Sequence, residues 1–290
     1  MEQLINRALP LIFAVFGHNN DGEGKRVMRV GGSGIFIAPF LAITARHVIR
    51  DLRRLDSREV RPSFKGYFRS NYTADLFQVL DRSPNPRHAI WEVNRTWDPS
   101  VTDISLMQVS AESGAAHAMQ VEMPTKFFTW SLLPPPIDSD VVMLGYPTTA
   151  MESIDGMMHT SCKISLQSGR VKEIYEHRRD DGMINFPSFL IDAPVDHGFS
   201  GGPVFLDDKL CGLVSAGSLD EQTYAASLWP LCLMEYEYPD QGILGAKRKF
   251  GDLFDIDMIP SADWNGVKSR ISKRIDDREE PFAHISDGLS

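Results

Sequence analysis

An all-β fold in two halves, followed by a C-terminal helix, is what this chain predicts, and three observations carry the prediction. Apolar runs of about five to eight residues recur along most of the chain, broken by Gly, Pro, Asn and Asp, the pattern of short strands and turns. The strand signal fades between about residues 111 and 140, where Pro134-Pro135-Pro136 stiffens the connection, and then resumes with a similar number of strands. Near the end, Trp264, Val267, Ile271 and Ile275 stand at helical spacing with basic residues between them.

In the first half, strands are expected at 8–16, 26–31, 34–38, 41–44, 60–68, 74–80 and 104–109. Asn19-Asn20-Asp21-Gly22 tolerates positive φ, so the chain is expected to turn back there as a hairpin. In the second half, strands are expected at 141–145, 163–175, 187–192, 203–206, 210–216 and 224–229, the spacing of all-β barrels. The chain then divides into a first barrel over 1–125, a second over 137–240 and an extension with a helix over 241–290. Residues 276–290 are polar and are expected to fray.

A length of 290 residues suffices for two modest barrels and a substantial core. The net charge of -9 opposes nucleic-acid binding, which needs clustered basic residues. Cys162, Cys211 and Cys232 form an odd set without metal-ligand spacing, so a reducing compartment is expected, with no metal and no cofactor. The apolar segment Leu9 to Phe16 follows Arg7 as the core of a secretory leader would. It contains Pro10 and runs into Gly17-His18-Asn19-Asn20 rather than a small-x-small cleavage site, so it is read as a strand. No other segment approaches the roughly 18 apolar residues of a membrane span, and the expected setting is cytoplasmic, with no membrane partner.

The most informative stretch is Asp196-His197-Gly198-Phe199-Ser200-Gly201-Gly202-Pro203-Val204. A serine hydroxyl attacks a carbonyl usefully when backbone N–H groups hold the developing oxyanion, and glycine permits the tight turn that aims them. The candidate donors are the amides of Gly198 and Ser200. The same letters satisfy the Gly-x-Ser-x-Gly elbow of α/β-hydrolases, but chain order argues against that fold. Its histidine must follow the serine, and His284, in the expected tail, is the only one that does. The elbow also requires a following helix, whereas Pro203 to Leu206, a turn at Asp207-Asp208-Lys209 and Leu210 to Val214 read as strand, turn, strand.

Thr44-Ala45-Arg46-His47, at the end of an apolar run, holds a histidine where a strand gives way to a turn or helix, the rigid edge a general base needs. The seven other histidines, among them His88, His117 and His177, carry no assignment as the base. Asp103, at the mouth of the strand Ile104 to Val109, is the candidate acid that would orient the imidazole and stabilise its cation. Asp98, followed by Pro99, is its competitor and has the setting of a turn residue.

With Thr-Ala-Arg-His at 44–47, Asp-Ile-Ser-Leu at 103–106 and Gly-Phe-Ser-Gly-Gly-Pro at 198–203, the chain resembles the trypsin-like serine peptidase family. The resemblance covers roughly residues 8 to 235. It implies two six-stranded antiparallel, chymotrypsin-like barrels and serine endopeptidase activity on protein or peptide substrates, through an acyl-enzyme formed by His47, Asp103 and Ser200. Ile191 to Gly198 most resembles the bacterial high-temperature-requirement branch, though no PDZ domain is expected here. Phe199 stands where digestive proteases of the family carry the aspartate that pairs with a freed N-terminus, so no such zymogen switch is expected.

By the same similarity Ser215-Ala216-Gly217 would pair with an extended substrate backbone. Pro194 would floor the primary specificity pocket with Val195 beside it, and His197 would line its rim. The absence of an acidic residue at 194 and 195 implies an uncharged P1 side chain. The alternative in another functional class is a catalytically silent binding module on the same fold. Narrow specificity or a regulatory protein partner would restrain an enzyme without zymogen machinery. The segment after about residue 260 would change activity if it is regulatory, and a simple packing helix is the favoured reading of it.

Overall fold

The segment Leu41-Ala42-Ile43-Thr44-Ala45 is apolar but for the Thr44 hydroxyl, and the computed structural model buries all five residues. A strand covered on both faces needs a barrel interior on one side and a second layer on the other. The structure describes residues 2–20, 26–54, 73–79, 88–111, 124–154, 157–217, 221–237 and 247–276. In it Leu41–Ala45 is strand β3 of a closed antiparallel barrel. Its other members are β1 (Ile12–Asn20), β2 (Arg26–Ala38), β4 (Thr73–Val79), β5 (His88–Trp97) and β6 (Ile104–Ala111), in the order β1-β2-β3-β6-β5-β4. A second closed barrel holds β7 (Asp140–Ile154), β8 (Met157–Tyr175), β9 (Ser188–Ile191), β10 (Pro203–Leu206), β11 (Lys209–Gly217) and β12 (Thr223–Ser227), in the order β10-β11-β12-β9-β8-β7. The expected chymotrypsin-like pair of barrels fits this architecture.

Several boundaries differ from the pattern reading for identifiable reasons. Residues Glu2–Ala8 form helix α1, with Glu2 in its first turn and Arg7 in its last to complement the helix dipole, and β1 begins only at Ile12. The runs at 26–31 and 34–38 are one strand, because the intervening Gly32 and Ser33 keep their ladder partners Val15 and Ala14 on β1 and only Gly31 is bulged out of the ladder. β5 escaped notice because Glu92, Asn94 and Arg95 break its apolar alternation. The strand expected at 60–68 lies outside the described residues. β7 and β8 run on past the barrel as a long hairpin in which Ile154 faces Met157.

The turns follow their chemistry. β1 and β2 pair as far as Asn20 opposite Arg26, the hairpin expected there. Asp207 and Asp208 both take positive φ between Leu206 and Lys209, a two-residue hairpin loop of the mirror-image type whose twist suits the flanking strands. Helix α2 (Arg46–Arg54) starts where β3 stops and buries Val48, Ile49 and Leu52 on one face.

The connection between the barrels is not an exposed spacer. Phe128, Trp130 and Leu132 are buried, and the Trp130 backbone pairs with Leu210 and Ser261. Residues after β12 form a strap over this connection: a 3₁₀ turn (Trp229–Leu233), strands β13 (Glu235–Glu237) and β14 (Lys247–Lys249), a short helix (Asp252–Asp255) and the helix Trp264–Asp276. Trp130 meets Phe250 and Phe254 at 5.7 and 5.6 Å between ring centres, Phe254 meets Trp264 at 5.2 Å, and Tyr236 reaches Trp97 of β5 at 5.8 Å. Each large apolar side chain so buried contributes about 1.5–3 kcal/mol. Among the described residues no helix is long and apolar enough to cross a membrane.

Candidate active site

Three elements converge at the seam between the barrels. His47 is the second residue of α2, held where β3 ends; Asp103 immediately precedes β6, the neighbour of β3; Ser200 lies in the turn before β10. Pairing of Ala45 with Ile104 sets the first two side by side. The Arg46 N–H donates to the Asp103 carbonyl at 2.9 Å, and the His47 N–H donates to Asp103 Oδ1 at 3.0 Å. The imidazole completes the arrangement, with Nδ1 at 2.7 Å from Asp103 Oδ2.

Asp103 is buried, which alone would raise its pKa. The hydrogen bond and charge of His47, the Ser215 hydroxyl and the His47 amide outweigh that burial and hold the carboxyl below the usual carboxylate range. An ionised Asp103 accepts a hydrogen bond from Nδ1–H, the tautomer that leaves Nε2 with the ring's free lone pair. The competitor Asp98 is occupied elsewhere, accepting from the Ser105 hydroxyl on β6.

Ser215 is the residue that pattern reading left incomplete. The register of β11 against β12 shifts between Val214 and Ala216, and this bulge makes Ser215 the extra residue. Its hydroxyl donates to Asp103 Oδ2 at 2.6 Å, and its carbonyl accepts from Ser200 Oγ at 3.3 Å. Asp103 and Ser200, the expected acid and nucleophile, therefore meet through one residue. No Ser200–His47 hydrogen bond is formed among the described residues; the hydroxyl is turned to Ser215 instead.

The turn that carries Ser200 is held from several sides. Gly198 and Gly201 take φ of +98° and +82°, which a side chain would strain. The Phe199, Gly201 and Gly202 N–H groups donate to Asp196 O, Val214 O and Phe199 O at 3.2, 2.7 and 2.7 Å. Among the described residues the N–H groups of Gly198 and Ser200 have no such acceptor, which leaves the two expected oxyanion donors available. Phe199 is buried and packs against Gly145, where a Cβ would lie 2.9 Å from its ring.

Around His47 lies a cavity of about 340 Å³ whose walls include Arg46, Asp103, Met183, Phe186 and Ala216. Ser215 is buried, Ala216 half-buried and Gly217 exposed. β10 parts from β11 at Leu213, so among the described residues Ala216 and Gly217 pair with β12 alone and present their other edge without a strand partner. Val195 is half-buried and His197 exposed. Pro194, expected on a pocket floor, is exposed as well, while the neighbouring Ala193 carbonyl is held by Thr223 Oγ1 at 2.7 Å.

Two closed β-barrels with a buried aspartate on a histidine of the first and a serine in a glycine turn of the second define the architecture of a two-barrel peptidase. Residues 32–213, more than half of the chain, match the family described as the trypsin-like peptidase domain, and the chain belongs to that family. Among solved structures it is similar to the Rv3671c protease of M. tuberculosis. The active form shares 20% identity over 77% of this chain and 78% of that one, with a TM-score of 0.45. An inactive form shares 19% identity over 77% and 86% of the two chains at 0.45, and an inactive mutant 18% over 77% and 84% at 0.46. No curated protein sequence matches the chain.

Proposed function

We propose that this protein is a serine endopeptidase that works through an acyl-enzyme. The observation that carries the reading is the 2.7 Å contact between His47 Nδ1 and the buried Asp103 carboxylate, which orients the ring and stabilises its cation. The Ser200 hydroxyl turns from Ser215 to His47, whose Nε2 takes the proton as the oxygen attacks the substrate carbonyl. The N–H groups of Gly198 and Ser200 hold the oxyanion, His47 returns the proton to the leaving amine, and water releases the acyl group by the reverse sequence.

The open edge at Ala216 and Gly217 supports binding of an extended peptide by strand addition. A reducing, cytoplasmic setting goes with this proposal; Cys211 and Cys232 are buried as free thiols whose pKa values burial raises. The bond from Ser200 to Ser215 favours the rival, a silent binding module, and one experiment separates the two. A fluorophosphonate should label the wild type at Ser200 and leave Ser200→Ala unlabelled. Equal labelling of both, or none of the wild type, overturns the proposal.

A further inference from the structure

Ser33 lies far from the Ser200 turn in sequence, yet it makes four hydrogen bonds at the seam. It sits on β2 and is wholly buried. Its N–H donates to the Ser200 carbonyl at 2.8 Å, and its hydroxyl donates to the Gly198 carbonyl at 2.6 Å. The same hydroxyl accepts from the Tyr146 N–H of β7 at 2.8 Å, and the Ser33 carbonyl accepts from Thr44 Oγ1 at 2.6 Å. One residue of the first barrel thus fastens both carbonyls that flank the Phe199–Ser200 peptide, and ties them to the second barrel through Tyr146.

We infer that Ser33 is a positioning residue for the oxyanion donors, a role that rests on the peptidase proposal above. A peptide unit is planar, so fixing the direction of one carbonyl fixes the N–H that follows it. With the Gly198 and Ser200 carbonyls drawn into the first barrel, and the Phe199 carbonyl taken by the Gly202 N–H, the Ser200 N–H between them has little freedom to turn. The same anchor limits rotation at Gly198, where the absence of a side chain permits the φ of +98°.

The surroundings leave room for nothing but a direct contact. A Cβ on Gly32 would lie 2.4 Å from the Ser200 carbonyl oxygen, and one on Gly201 would lie 2.2 Å from the Ser33 carbonyl oxygen. The hydroxyl is both donor and acceptor here, a pair of roles that alanine cannot fill. Removing it leaves the Gly198 carbonyl free to swing and the Tyr146 N–H without its partner.

The test compares Ser33→Ala and Ser33→Cys with the wild type, using a cleavable peptide and a boronate of the same sequence that forms a tetrahedral adduct with Ser200. A small misplacement of catalytic donors can lower turnover by about 100-fold, so Ser33→Ala should lose about 10- to 100-fold in kcat with KM changed less than about threefold. Boronate affinity should fall in parallel, while the pH at half-maximal activity stays put because the His47–Asp103 contact is untouched. Ser33→Cys, of similar shape but weaker hydrogen bonding, should fall between and carries the test should the alanine variant fail to fold. A folded variant with wild-type kcat and boronate affinity overturns the assignment of Ser33 alone. A wild type that neither labels nor binds the boronate overturns the peptidase proposal and this assignment with it.

Discussion

Asp103 concentrates the electrostatics of the seam, and its energetics have a definite sign. Its pKa in the folded protein lies below the unfolded carboxyl value of about 3.9, so its ionised form stabilises the fold at pH values above that and the contribution is lost as pH falls through the folded value. Asp103→Asn should therefore unfold at lower denaturant than wild type at pH 7, and the difference should shrink below about pH 4. The same substitution should reduce kcat by about ten-thousandfold, since an amide favours the wrong histidine tautomer. Denaturant melts at the two pH values and a steady-state assay check both. His47, Asp103 and Ser200 stood out in the sequence because acyl transfer asks for these residue types and the two-barrel fold for this order. Of the three, the structure joins His47 to Asp103 directly. Ser33 did not stand out, because its partners Gly198 and Ser200 lie far along the chain. The available hint was Gly31-Gly32-Ser33-Gly34, three glycines within one strand, a sign that another backbone comes close.

At the scale of elements, the turn before β10 and the helix Trp264–Asp276 respond to the same substitution in opposite ways. Gly201→Ala puts a methyl group 2.2 Å from Thr44 Oγ1 and forces a positive φ on a side chain, and should lower stability by about 2–3 kcal/mol in denaturant melts. Gly266→Ala meets nothing within 4 Å and should raise stability by about 0.5–1 kcal/mol through the lost flexibility of the unfolded chain. Most strands could be read because Val, Ile and Leu runs end at turn residues, as at Asp207-Asp208. β5 could not, since its polar positions hide the period, and α1 was masked by the apolar run that follows it. The bulge at Ser215 leaves no local mark at all, because register is a property of two strands rather than one.

For the whole molecule, the strap is the feature that the apolar pattern least foretold. Its helix showed in the spacing of Trp264, Val267 and Ile271, but what the helix covers depends on Trp130, remote in sequence. Asp263 makes the join, accepting the Leu132 and Leu133 N–H groups at 2.9 and 3.0 Å. Asp263→Ala should lower stability by about 1–3 kcal/mol by leaving those amides without acceptors, with kcat little changed in the folded fraction. A large change in kcat with unchanged melting would instead give the strap a gating role. Both are read from one melt and one assay.

The strap also bears on how the chain comes off the ribosome. Phe128, Trp130 and Ser200 are all translated before Phe250 and Phe254, so a nascent chain can form both barrels while the indole between them is still wet. A message cut short in that interval yields a sticky intermediate for chaperones and proteases to clear, rather than a smaller working copy of the protein.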